Sequence, residues 1–406
     1  MQKSRVYGII NQINEYFQTA FEVYLMKILI TTDLYTTDTN GVVTSVKNLS
    51  EELRKKGHEV KILTLSENRH SHKDKDAYYI RSVPFAVYPN VRMPLAIKHR
   101  YVKELIEWNP DVIHSQCEFF SFQFAKQISK KTGAPIVHTY HTLYEQYVTY
   151  VLPSKRLGES MVRIFSRKRL KRVENVVAPT HKVEETLRGY GMKNDISVIP
   201  SGIKLEQHKI RITEEERGEK RRALGISDDK TVLINLGRLG TEKNLEELMD
   251  LFANACKKKE DLVFLIVGDG PAKESLEEQA KNLGVSDKVI FTGMVKPEEV
   301  QLYYQLGDVF VSASTSETQG LTYIEAAANG LPLLCRQDKC LDDVLVQGEN
   351  GYEFTDEDEF YRSIEAILAD PEWCESAGKK SEKIADSFST GAFGDAIEKI
   401  YEEVVK

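Results

Sequence analysis

Ser316-Glu317-Thr318-Gln319-Gly320-Leu321-Thr322-Tyr323-Ile324-Glu325 runs on into Ala328-Asn329-Gly330-Leu331-Pro332. Gly320 forms a turn that opens a short helix, and Gly330 with Pro332 closes it. The start of a helix offers unpaired backbone N–H groups, here those of Gly320, Leu321 and Thr322, to a diphosphate. A carboxylate one turn inside the helix, Glu325, can grip two ribose hydroxyls. A carboxylate before the turn, Glu317, can face a sugar. The stretch therefore suits a sugar nucleotide.

Outward from it, strand-like and helix-like runs alternate, the pattern of parallel sheets. The second half carries strand candidates at 232–237, 262–268, 288–293, 309–313 and 333–335. The first half carries them at 27–32, 60–65, 112–115, 136–140, 176–179 and 197–199, with a helix over 42–56 that Gly57 stops. The strands are continuously apolar, as expected of sheets covered on both faces. Segment 201–229 is polar and reads as a connector plus the first helix of the second half. Two facing α/β halves bind ligands at the carboxyl ends of their strands, so one cleft is expected between them. The expected division is 1–25 as a helical extension, 26–200 as the acceptor domain and 201–384 as the donor domain. A C-terminal helix at about 385–406 is expected to pack back on the first domain.

Three further motifs fall at strand ends. Gly237-Arg238-Leu239, followed by Glu242-Lys243-Asn244, ends one strand and precedes a helix. Arg can hold two phosphate oxygens with its planar fork, and Lys is a compact point charge. Cations fixed opposite the charge that develops on a leaving diphosphate lower the barrier. Asn40-Gly41 lies between the first strand and helix, where Gly41 lets backbone approach a ligand closely. In His138-Thr139-Tyr140-His141 a strand ends and a loop begins. A neutral imidazole at His141 can donate or accept a hydrogen bond there, while His138 reads as structural.

A fourth motif is a basic helix. Segment 153–172 holds Lys155, Arg156, Arg163, Arg167, Lys168, Arg169, Lys171 and Arg172 against the single acid Glu159, in a chain of net charge −7. Leu157, Met161, Ile164 and Phe165 follow helical spacing on one face. Such a helix suits an anionic membrane surface; the competing reading packs its apolar face on the domain. Phe165 is the segment's one aromatic, which disfavours a single-strand nucleic-acid groove.

The length of 406 residues suits two domains, and the acidic balance argues against a general nucleic-acid binder. Cys117, Cys256, Cys335, Cys340 and Cys374 show no metal or disulfide spacing and read as reduced, cytosolic thiols. No window reaches the roughly 18 apolar residues of a membrane span. Residues 1–25 carry Val6, Ile9, Ile10, Ile13, Phe17 and Phe21 at helical spacing. They read as an upstream extension or as an amphipathic helix on a membrane or the domain surface.

Glu317 and Glu325 with their glycine turn resemble the E-x7-E signature of the retaining family 4 glycosyltransferases, and Gly237, Arg238, Leu239, Lys243 and Asn244 resemble the companion G-R-L…K-N arrangement. The resemblance covers nearly all of 26–406. It implies the GT-B fold, two Rossmann-like domains whose parallel sheets face across a cleft. It implies a UDP-sugar donor held by Gly41, Gly237, Arg238, Lys243, Gly320, Leu321, Thr322 and Glu325, with His141 near the donor sugar. Arg238 and Lys243 would stand in for a metal, so neither a metal nor a further cofactor is expected. Glu317 would position the sugar in a front-face reaction, not act as a nucleophile.

Three stretches narrow the likeness: His114-Ser115-Gln116-Cys117-Glu118-Phe119, the run from His138 to Glu145, and the run from Ser312 to Tyr323 are similar to bacterial 1,2-diacylglycerol 3-alpha-glucosyltransferases. That likeness implies UDP-glucose, a diacylglycerol acceptor and a peripheral site on the cytoplasmic face of the membrane, with no nucleic-acid partner. Departures stand at Cys117, Gln146, Thr149 and Lys204, where relatives often carry Thr, Asp, His and Asp; those at 146 and 149 leave the acceptor open. The alternatives are another sugar nucleotide with a glycolipid or soluble acceptor, a non-catalytic GT-B subunit serving a partner transferase and, more distantly, a nucleotide-sugar epimerase.

Overall fold

A computed structural model describes residues 25–36, 40–85, 92–146 and 154–406. The helical extension expected at 1–25 lies outside these residues except for Leu25, as does Thr149.

The first sheet contains β1 (Lys27–Thr31), β2 (Glu59–Ser66), β3 (His72–Lys73), β4 (Ala77–Pro84), β5 (Arg92–Pro94), β6 (Val112–Ser115), β7 (Ile136–Thr139), β8 (Asn175–Ala178) and β9 (Asp195–Val198). Its order is β3-β4-β2-β1-β6-β7-β8-β9, with β5 on β4. All pairings are parallel except those of β3 and β5 with β4. The second sheet contains β10 (Thr231–Leu236), β11 (Leu262–Val267), β12 (Val289–Phe291), β13 (Val309–Ser312), β14 (Leu333–Arg336) and β15 (Gly351–Phe354), in the order β12-β11-β10-β13-β14-β15. Every pairing in it is parallel.

Apolar runs account for the central strands: all six residues of β11 are buried. Local chemistry trims the ends. The candidate 176–179 becomes Asn175–Ala178, because Pro179 has no N–H to give the ladder. Asn40-Gly41 is a helix start: the Asn40 side chain accepts from Val43 N at 2.9 Å and caps Gly41–Lys55. The connector 201–229 holds two helices, Leu205–His208 and Glu214–Ala223, the second opened by a Thr213/Glu216 capping box.

The C-terminal helix Thr390–Val404 lies on the first sheet. Its Phe393, Ile397, Ile400 and Tyr401 share a core with Val46, Leu49 and Leu53. Two hydrogen bonds reinforce the contact, Tyr401 Oη to His114 Nδ1 at 2.6 Å and Glu398 Oε1 to His58 Nε2 at 2.8 Å. Each half thus owns a core, and the carboxyl ends of the central strands of both sheets meet at one cleft.

Candidate active site

The quoted stretch follows β13 and lines the second half's wall of the cleft. Gly320 has φ of 73°, and a Cβ there would sit 2.4 Å from the Tyr323 ring, so this corner requires glycine. It opens the helix Leu321–Ala328. Close approach brings the expected donor residues together. A Cβ on Gly237, at the end of β10, would lie 3.9 Å from Thr322 Cγ2, and one on Gly41 would lie 3.9 Å from Leu321 Cδ1. Backbone of both halves therefore converges on the helix start.

The charged side chains are paired with one another. Lys243 Nζ donates to Glu317 Oε1 at 2.5 Å, and Ser314 Oγ donates to the same oxygen at 3.3 Å. The exposed Arg238 pairs with Glu242 four residues on. Sequence reading aims both cations at a diphosphate; here both are held by carboxylates. Glu325 is largely enclosed and accepts from Tyr304 Oη at 2.9 Å. Burial raises its carboxyl to about 7, against the opposing pull of the Tyr304 bond. Tyr304 escaped sequence reading because it stands 21 positions away in an unremarked helix.

On the first half's wall, His141 follows β7 and shares a 2.7 Å hydrogen bond between its Nε2 and Gln116 Oε1. If Nε2 donates, Nδ1 is left as an acceptor. Burial, then the neighbouring His138, pushes the His141 imidazole down to about 3, so it is neutral throughout the physiological range. His138 is wholly buried, 3.1 Å from Glu118 Oε1. Asp33, two residues beyond the end of β1, is also buried. Its Oδ1 accepts from Ser121 N at 2.6 Å, its Oδ2 has no hydrogen-bond partner, and burial lifts its carboxyl to about 6. Gln116 Nε2 is similarly without a partner. An acid closely following a strand was a signal the sequence offered and the reading passed over. Among the described residues no cluster of three or more His, Cys, Asp or Glu side chains is placed to hold a metal ion.

The basic helix spans Lys155–Leu170, where only the backbone of Lys155 is described. Three of the four residues of its apolar stripe face solvent rather than the domain: Leu157, Met161 and Ile164 are 57%, 53% and 56% exposed. Arg156, Arg163, Arg167 and Lys168 are exposed beside them, while Ser166 and Leu170 face inward. Arg169 corrects the sequence grouping. Its guanidinium turns to the domain, donating to the carbonyls of Glu118 (2.6 Å) and Phe119 (2.5 Å) and lying over the Phe122 and Phe165 rings. Phe165 also stacks on Phe119. No helix among the described residues is long and apolar enough to cross a membrane.

Comparison with known proteins agrees with this architecture. Residues 216–384 match the model of the glycosyl transferases group 1, and residues 39–207 match that of glycosyltransferase family 4. The chain is 35% identical over 383 residues to the alpha-monoglucosyldiacylglycerol synthase of Streptococcus pneumoniae, covering 94% of this chain and 86% of that protein. It is 32% identical over 393 residues to the protein of the same name from Acholeplasma laidlawii, covering 94% and 98%. Among solved structures, Anabaena HepE in complex with UDP-glucose superposes with a TM-score of 0.74 at 16% identity, covering 93% of this chain and all of that one. The sucrose-phosphate synthase of Thermosynechococcus elongatus gives 0.73 at 21% identity, covering 93% and 99%. The chain belongs to glycosyltransferase family 4 and is a hexosyltransferase of the GT-B fold.

Proposed function

We propose that this enzyme moves glucose from UDP-glucose to the 3-hydroxyl of 1,2-diacylglycerol with retention, giving alpha-monoglucosyldiacylglycerol at the cytoplasmic face of the membrane. Two relatives spanning almost the whole chain carry that product in their names. The observation that carries the lipid acceptor is the exposed stripe of Leu157, Met161 and Ile164, edged by Arg156, Arg163, Arg167 and Lys168 on the first half. Solvent-facing apolar side chains beside cations suit an anionic bilayer, each cation contributing about 1 kcal/mol near its surface.

In this reading the diphosphate lies at the start of the helix Leu321–Ala328, against Gly237 and the backbone beside Gly41. Glu325 takes the ribose hydroxyls. Arg238 and Lys243 exchange their carboxylate partners for phosphate oxygens, which frees Glu317 to face the sugar. His141, neutral, offers a hydrogen bond from the opposite wall. As the anomeric C–O bond to the phosphate breaks, the acceptor oxygen bonds to the same face of that carbon. Its proton passes to the departing phosphate oxygen, so no separate base is needed. The two cations stabilise the charge that appears on the diphosphate.

The test is purified protein with UDP-glucose and diacylglycerol in vesicles with and without anionic lipid, in chelator, read by mass spectrometry. Monoglucosyl lipid that depends on anionic lipid is expected. UDP-glucose hydrolysis without lipid product would keep the donor and discard diacylglycerol. A second acceptor and sugar are next in line, because the sulfoquinovosyl transferase of Arabidopsis thaliana is 27% identical over 86% of this chain.

A further inference from the structure

Lys182 is the second residue of the helix His181–Gly189, which follows β8 at the cleft edge of the first half. Its ammonium reaches across the cleft. Its three N–H groups are shared among four acceptors, Oδ1 and Oδ2 of Asp338, each at 2.7 Å, and the carbonyls of Thr315 and Glu317, each at 3.0 Å. All four acceptors belong to the second half. The side chains of Lys182 and Asp338 are 14% and 9% exposed, so water competes little for them. Two neighbouring contacts grip the same loop from the first half: Thr180 Oγ1 donates to the Thr318 carbonyl at 2.7 Å, and Thr318 Oγ1 donates to the His141 carbonyl at 2.9 Å.

The Glu317 loop is therefore held from two directions. Its carboxylate is gripped from within the second half, by Lys243 and Ser314, and its backbone from the first half, by Lys182. A domain seam that needed only adhesion could use exposed pairs, and it has one nearby: Lys339 pairs with Glu185 with both side chains about three-fifths exposed. Lys182 differs in directing two of its contacts to the carbonyl of Glu317 itself and to that of Thr315, two residues before it.

We propose that Lys182 is a positioning residue for transfer, holding the Glu317 loop in register so that closure of the two halves sets the Glu317 carboxylate against the reacting sugar. The inference rests on the role given to Glu317 under the proposed function. A shift of about 1 Å at such a group can cost about 100-fold in rate.

Lys182→Met removes the ammonium and keeps the side-chain length. With UDP-glucose and diacylglycerol, kcat is expected to fall about 100-fold, while the Kd for UDP, measured by calorimetry, moves by less than about threefold because Arg238, Glu325 and the amides of Leu321 and Thr322 lie outside the segment that Lys182 holds. Lys339→Gln, on the exposed pair, should alter kcat by less than about twofold. Unchanged kcat in Lys182→Met, or loss of UDP affinity in step with kcat, would overturn the inference. Should Lys182→Met fold poorly, Thr180→Val removes one grip on the same loop, and its kcat is expected to fall without a matching loss of UDP affinity; unchanged kcat counts against the idea. A second readout needs no substrate: amide exchange over 315–320 is expected to speed up in Lys182→Met while that of Leu245–Cys256 stays as in the wild type. If the wild type makes no glycolipid, the functional reading fails, and equal exchange over 315–320 in both proteins then sinks the positioning role as well.

Discussion

The two walls of the cleft solve opposite electrostatic problems. The second half's wall carries full charges that cancel in pairs, Lys243 with Glu317 and Arg238 with Glu242. The first half's wall carries buried groups that lack such pairs: burial pushes His141 down to about 3, which keeps it neutral, and lifts Asp33 to about 6, which still leaves it mostly ionised at pH 7. One wall can trade an internal anion for a ligand's anion with little change in net charge. The other presents a neutral imidazole and a carboxylate oxygen of Asp33 without a hydrogen-bond partner, which suit a hydroxyl and oppose the charge of a diphosphate. The asymmetry supports the proposal that the diphosphate lies on the second half.

The largest effect should come from breaking the charged wall. Lys243→Ala removes a cation that the proposed reaction turns to the leaving group and leaves Glu317 without its 2.5 Å partner. Losing one such preorganised contact costs about 100- to 1,000-fold in kcat. Steady-state kinetics checks this, and Arg238→Ala should fall in the same direction. If Lys243→Ala transferred sugar at more than about a tenth of the wild-type rate, the paired charges would be scaffolding and the comparison of the walls would lose its meaning.

Glu325 sharpens the contrast, because it sits on the charged side yet is raised by burial as Asp33 is on the other. Its carboxyl is raised from 4.5 to about 7, chiefly by burial. The folded protein therefore binds more protons there than the unfolded chain between these values. The group's contribution to stability is full below about pH 4.5 and is lost as pH rises through about 7. Glu325→Gln removes that penalty. At pH 8 the ligand-free variant should be more stable than the wild type, by on the order of 2 kcal/mol, and the gap should close as pH falls toward 4.5. Binding moves the other way: UDP affinity should drop roughly tenfold as the charged acceptor for the ribose hydroxyls is lost. Thermal melts across pH and calorimetry with UDP separate the two; a variant less stable at pH 8 would mean that Tyr304 and its surroundings favour the charged carboxyl outright.

Where one segment carries its own instructions, the sequence was readable. The loop and helix around Glu317, Gly320 and Glu325 are continuous in the chain, and Gly320 declares its left-handed turn by being glycine. The continuous apolar strands declared both sheets. What escaped was set by pairs distant in sequence or by facing. Lys182 meets Asp338 across 156 positions, and neither residue sits in a pattern that points to the other. Strand β4 was missed because it lies toward the sheet's edge and mixes Arg81 and Ser82 with apolar residues. Helical spacing identified the stripe of Leu157, Met161 and Ile164 but not its direction. Leu170 and the Ser166–Tyr140 hydrogen bond turn the opposite face inward, and only the packed structure reveals which face is left over.

The smallest effect tests the quiet wall. A bound diphosphate would favour the charged form of a nearby imidazole and raise its pKa. Starting from about 3, His141 could gain roughly two units and still be neutral at pH 7. The pH profile of kcat/KM should therefore show no imidazole step between pH 5.5 and 8, and the normalised profiles of the wild type and His141→Asn should superimpose there even though their absolute rates differ. A step near pH 6.5 that disappears in His141→Asn would mean that water reaches this imidazole in the free enzyme. The first wall would then carry a cation able to attract a diphosphate, and the difference between the two sides would no longer favour the second half for it.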